Sequence, residues 1–177
     1  MATEFDTRLT TSGRDIGLLV LRLGVGATMM QAGLLKVFTL STATEFMAKS
    51  GWSSPRLAAI MVSAAETAGG LGLLLGLLTP LAAVAVIAAM IDAWAFNVSG
   101  GAFWSNPFDQ TFVLAFAATA LLFTGAGKYS LDERLWGRAT WPRLVAVILF
   151  VVAIAAAVLT WVLLNGTNPI HFTAPPS

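Results

Sequence analysis

The sequence predicts an all-α membrane protein: a four-helix transmembrane bundle followed by a fifth, C-terminal transmembrane helix. Composition is the first reason. Of 177 residues, 57% are hydrophobic and 11% charged, whereas a water-soluble domain carries roughly 25% charged residues. The second reason is distribution, because the apolar residues gather into five segments near the roughly 20 residues that cross a bilayer as a helix. A soluble globular enzyme is excluded on these grounds. The formal net charge is +1 with Lys and Arg scattered along the chain, which argues against nucleic acid as a partner. The partner such a surface requires is the lipid bilayer.

The first segment, 16–38, has 23 residues. That exceeds the apolar core of a signal peptide, and no clean small-residue cleavage site follows it, so it is read as a span. The second and third segments, 57–78 and 81–98, are separated by Thr79 and Pro80 alone. Thr79 is suited to cap the third helix and Pro80 to open it, which predicts a tight antiparallel hairpin. The fourth segment, 108–125, opens with Asp109 and Gln110 after an aromatic stretch containing Phe103, Trp104 and Phe108. The fifth, 144–164, contains no ionisable residue and is expected to offer a face to lipid or to a partner. The six tryptophans lie mostly near span ends, as an interfacial aromatic belt requires.

Positive loops remain in the cytoplasm. Arg8, Arg14, Lys128, Arg134, Arg138 and Arg143 fall on one side of the spans, against Lys49 and Arg56 on the other. The organisation expected is therefore a cytoplasmic tail (1–15), a four-helix domain (16–133), a basic cytoplasmic loop (134–143), the extra span (144–164) and an extracytoplasmic tail (165–177) holding His171. Residues 39–56 and 99–107 face outward in this scheme.

Cysteine is absent and His171 is the single histidine. Disulfides, thiolate catalysis, thiolate-bound zinc, iron–sulfur clusters and a His-ligated intramembrane haem are thereby excluded. No metal site and no covalent cofactor are expected, and electron transfer would need a borrowed or diffusible carrier.

Chemistry could reside in the intramembrane charges, each costly in hydrocarbon without a partner. Steps of three and four along the first span align Arg22, Gly26, Met29, Gly33 and Lys36. The same stepping aligns Ala59, Ser63, Glu66 and Gly70 on the second, and Ala85, Ala88, Asp92, Ala95 and Ser99 on the third. Small residues permit close helix approach, so the three helices are expected to meet around a midplane cluster of Arg22, Glu66 and Asp92. Glu66 and Asp92 both come out about 17 Å deep. Side chains lean toward the amino terminus of their helix, which favours Asp92 over Glu66 as the partner of Arg22 and leaves Glu66 as the carboxyl that keeps a proton. Lys36 either snorkels or pairs with Asp109 at the outer rim, although the dipole of the fourth helix would account for Asp109 by itself. Gly72 and Gly76 form a GxxxG pair suited to helix packing or dimerisation.

Several runs resemble the DoxX family: Leu21-Arg22-Leu23-Gly24, the segment Ala32-Gly33-Leu34-Leu35-Lys36, Glu66 followed by Gly69-Gly70, and Gly76-Leu77-Leu78-Thr79-Pro80. The most specific is Gly125-Ala126-Gly127-Lys128-Tyr129-Ser130-Leu131-Asp132. The resemblance implies a four-helix bundle of the bacterial cytoplasmic membrane, in a family linked with redox and respiratory systems and with quinone. Ala32 stands where that family commonly has a histidine, and Asn97 lies where one is often found nearby, so two groups suited to proton transfer are missing.

These observations favour a non-catalytic accessory subunit of a respiratory or redox membrane complex, associated with other membrane subunits, over an enzyme acting alone. The alternatives are a quinone-site oxidoreductase subunit and a carrier or binder of a small lipophilic molecule. Reporter fusions after Ser130 and Ser177 test the topology: the first should report cytoplasm and the second the outside. The same compartment at both points would remove the fifth span.

Overall fold

The computed structural model describes residues 2–99, 108–167 and 169, with side chains from residue 13 onward. Arg8, Phe103, Trp104 and His171 lie outside the residues whose side chains are described. Seven helices follow one another without strands among the described residues: α1 (Ala2–Phe38), α2 (Leu40–Lys49), α3 (Pro55–Leu75), α4 (Thr79–Ser99), α5 (Gln110–Thr124), α6 (Leu131–Trp136) and α7 (Arg143–Leu164).

The stretch Gly13–Phe38 of α1, together with α3, α4 and α7, is long and apolar enough to cross a membrane. The expected fourth span is a shorter helix: α5 has 15 residues, about 22 Å of rise. Three further differences concern the helix ends. Helix α1 begins at Ala2, inside the segment expected to be a tail. Helix α2 occupies part of the expected outer loop, and α6 part of the basic one. Helix α2 is amphipathic, with Leu40, Ala43 and Met47 at spacings of three and four packed on the neighbouring core. Helix α6 is set by Ser130, whose hydroxyl accepts from the Glu133 N–H at 3.2 Å, an S-x-x-E capping pattern.

Helices α1 and α3 share the most extensive interface, and α4 lies against α3, α5 and α7. Glycine sets the α1–α3 separation. A Cβ on Gly26 would stand 2.8 Å from the Gly70 carbonyl oxygen, and one on Gly70 would collide with the backbone of Met30. The α1 and α3 stripes read from the sequence are thus the faces that touch. Helix α7 turns Ala146, Ala153, Ala157 and Trp161 inward and leaves most of its remaining side chains exposed. Gly72 and Gly76 pack inside the chain, against Ala82 and the Arg22 side chain respectively, so close packing within the bundle accounts for the pair.

Two buried clusters fill the bundle. One includes Leu18, Val25, Leu73, Val86, Ile87 and Leu121 toward the basic loop. The other gathers Met47, Trp52, Ala58, Ala59, Ala95 and Trp161 at the opposite end. Trp52 and Trp161 meet edge to face with centroids 5.7 Å apart, and both are buried, so these two serve packing and not an interfacial belt.

Gly70→Ala should lower thermal stability in detergent by about 1–3 kcal/mol, the usual cost of overpacking. Gly24→Ala, whose new methyl meets nothing within 4 Å, should be neutral or stabilising. Equal effects would remove the close contact as the determinant of the α1–α3 interface.

Candidate functional site

The charged residues sort into two separate places. Arg22 is fully buried at the end of the bundle that carries the basic loop. Its Nη2 donates to the Tyr129 carbonyl, and Asp132 is the carboxylate close enough to act on its charge. The expected cluster of Arg22 with Glu66 and Asp92 does not form. Lys36, not Arg22, reaches Glu66, and it lies 14 residues further along α1, about 21 Å by helical rise. Arg22 leans toward the amino terminus of α1 and so finds the Tyr129 carbonyl in place of midplane carboxylates, its Nε and Nη1 being buried without a partner.

The Gly125–Asp132 motif is the knot at this end. Gly125 (φ 82°) and Gly127 (φ 74°) take a conformation that suits glycine. The Lys128 N–H donates to Asp15 at 3.2 Å, and the Ser130 hydroxyl donates to the Gly127 carbonyl at 2.6 Å. Asp132, with no exposed surface, accepts from the N–H groups of Leu78 (2.7 Å) and Thr79 (2.9 Å). The Asp132 N–H returns to the Gly76 carbonyl at 2.8 Å. The start of α4 is therefore capped by Asp132 from another part of the chain. Thr79, expected to be the cap, has a buried hydroxyl without a partner. Leu78, at φ 46°, is held in that unusual conformation by the same carboxylate.

At the other end, Lys36 Nζ stands 2.6 Å from Glu66 Oε2. The expected Lys36–Asp109 pair is replaced by this one. Lys36 leans back along α1 away from the rim, while Glu66 leans toward the rim along antiparallel α3, so the two converge. Asp109 instead caps α5, accepting from the Phe112 N–H at 2.9 Å, the Thr111 hydroxyl at 2.6 Å and the Asn97 amide at 2.5 Å. That is the helix-terminus explanation of Asp109.

The Lys36–Glu66 pair forms part of the wall of a cavity of about 530 Å³, with Asp92, Asn97, Gln110 and Thr111 also on its lining. Pockets that hold small molecules run from about 300 to 1,000 Å³. The rest of the wall is mostly alanine, methionine and aromatic side chains from α1 to α5 and α7. Here the small-residue stripe of α4 behaves differently from those of α1 and α3: Ala85, Ala88 and Asp92 border the void. Asp92 Oδ1 is buried and accepts no hydrogen bond. The surplus negative charge anticipated for the cluster thus falls on Asp92, since Glu66 has Lys36. Among the described residues, no group of three or more His, Cys, Asp or Glu could hold a metal ion.

A quinone headgroup presents acceptors. After Glu66 and the Ala32 carbonyl, Lys36 retains one N–H, and Gln110 supplies an amide on the same lining, so the wall can hold such a carbonyl. Asp92 can accept only from a ligand that donates.

Two sets of variants separate the two ends. Asp132→Ala should cost about 2–4 kcal/mol of stability, because it leaves buried amides at the α4 start unpaired. Glu66→Ala should cost about 2 kcal/mol by stranding Lys36. Lys36→Met combined with Glu66→Leu should recover most of the second loss, and additivity of the single changes in a double-mutant cycle would show that the pair contributes no coupling.

Residues 17–100 match the model of the DoxX family. The match contains Arg22, Lys36, Glu66 and Asp92, while the Gly125–Asp132 knot lies beyond it. No curated protein and no solved structure shows significant similarity to the chain. Within this all-helical membrane protein, residues 17–100 form a DoxX-family domain.

Proposed function

We propose that this protein is a non-catalytic subunit that holds a small lipophilic molecule in its membrane cavity and serves a respiratory or other redox complex of the bacterial plasma membrane. The observation that supports binding is the cavity itself: about 530 Å³ of mostly apolar space with an ion pair and an unpartnered carboxylate on its wall. An apolar pocket with few convergent polar groups is the usual form of a small-molecule site. Its titratable groups among the described residues are Lys36, Glu66 and Asp92, and the first two are engaged with each other in the ion pair. The orientation proposed keeps the basic loop in the cytoplasm and the Lys36 end outside. A quinone or quinol is one molecule of suitable character, bound here and transformed elsewhere in the complex. The exposed apolar face of α7 suits contact with lipid or a second membrane subunit.

Purification in mild detergent, followed by mass spectrometry of the co-purifying lipids, quinones and proteins, tests this reading. The wild type should retain a lipophilic molecule near one per chain, and Ala88→Phe, which fills the cavity, should lose it while remaining folded. Equal retention by both would count against the cavity as the binding site.

A further inference from the structure

The two carboxylates of the cavity differ in one respect that bears on the ligand. Glu66 is neutralised by Lys36 at 2.6 Å. Asp92 has no ion-pair partner among the described residues, and its Oδ1 is buried without a hydrogen bond. An isolated carboxylate in apolar surroundings is costly, and the cost is relieved by a partner carrying positive charge. Lys36 pairs with Glu66 and forms no ion pair with Asp92. The named charges on the wall leave one negative charge over, one cation against two carboxylates. Phe96 follows Asp92 by one helical turn and lines the same cavity, with Phe46 packed edge-on against it at 5.5 Å. A carboxylate beside aromatic rings in a mostly apolar cavity is the chemistry that recognises an organic cation, through a charge-assisted hydrogen bond and cation–π attraction.

We propose that the cavity takes an amphiphile with a cationic amine headgroup, held at Asp92, with its hydrocarbon part among the alanine, methionine and aromatic side chains. This rests on the cavity being a binding site and specifies the charge of its occupant. An anionic amphiphile would meet the surplus negative charge. A neutral donor, such as an alcohol or a quinol hydroxyl, would satisfy Oδ1 but leave that charge unbalanced.

Photolabelling tests the assignment. A dodecylamine carrying a diazirine on its chain is irradiated with the protein in lipid nanodiscs, and the labelled peptides are located by mass spectrometry. Unlabelled dodecylamine, which is an ammonium ion at neutral pH, dodecanol and dodecanoate serve as competitors. Labelling should saturate and map to α1, α3 and α4. The ammonium compound should compete roughly ten- to a hundredfold better than the alcohol, the ratio that one charge-assisted contact supports. Dodecanoate should compete least. Asp92→Asn should bring ammonium and alcohol to within about twofold while leaving the thermal stability of the ligand-free protein unchanged or higher, because Asp92 has no partner to lose. Marked destabilisation by Asp92→Asn would reveal a partner within the chain and overturn the assignment. Equal competition by ammonium and alcohol in the wild type would also overturn the amine assignment and leave the cavity reading standing. Labelling that neither saturates nor responds to Ala88→Phe would overturn the cavity reading and the assignment together.

Discussion

Asp132 and the amides of Leu78 and Thr79 form the contact on which the rest of the bundle depends. Helix α4 is the central element, touching α3, α5 and α7, and its first N–H groups have no partners within the helix. A buried helix start must be satisfied, and here the acceptor comes from more than fifty residues away in sequence. Through that one carboxylate the α3–α4 hairpin is locked to the loop that ends α5. The same loop presents the Tyr129 carbonyl to Arg22 and so adds α1 to the lock. Four helices, α1, α3, α4 and α5, are thus tied together at one end by polar contacts.

With one end locked, the opposite end can be more open. The α1–α3 faces are pulled into contact by Gly26, Gly33 and Gly70. Packing in a bilayer gains little from hydrophobicity and relies on close van der Waals contact, so glycines at the crossing are the efficient solution. On α4, Ala82 packs closely on Gly72 of α3, whereas Ala88 and Asp92 border the void. Around Ala88 and Asp92 the neighbouring side chains do not close the space, and the missing volume becomes the cavity. Whether a small-residue stripe makes a contact or a void is decided by what stands across from it.

The charge distribution follows the same division. At the basic end Arg22 and Asp132 are fully buried and offer no surface to a ligand. Asp132 is held by backbone amides and Arg22 by the Tyr129 carbonyl through Nη2 alone, its Nε and Nη1 being buried without a partner. At the other end Lys36 and Glu66 neutralise each other on a cavity wall, and Asp92 is left facing space. The chemistry open to an outside molecule therefore concentrates at a single carboxylate, although the bundle contains several charges. This arrangement separates what holds the bundle together from what it presents.

The sequence by itself determined the membrane class, the helical spans to within a few residues, the tight α3–α4 hairpin, and the faces of α1 and α3 that meet. These are legible because apolar length and a period of three to four are local properties. It also marked Arg22, Lys36, Glu66 and Asp92 as costly groups needing partners. The tertiary structure alone decided which partners. Depth counted from span ends placed Glu66 and Asp92 level and drew Arg22 toward them, but pairing depends on side-chain lean and on loops folding back over helix ends. Arg22 took a carbonyl from a loop more than one hundred residues away, and Asp132, read only as a motif residue, became the cap of α4. The cavity was invisible for a related reason: an unfilled space is a property of several helices at once, and no single helix records what fails to pack against it.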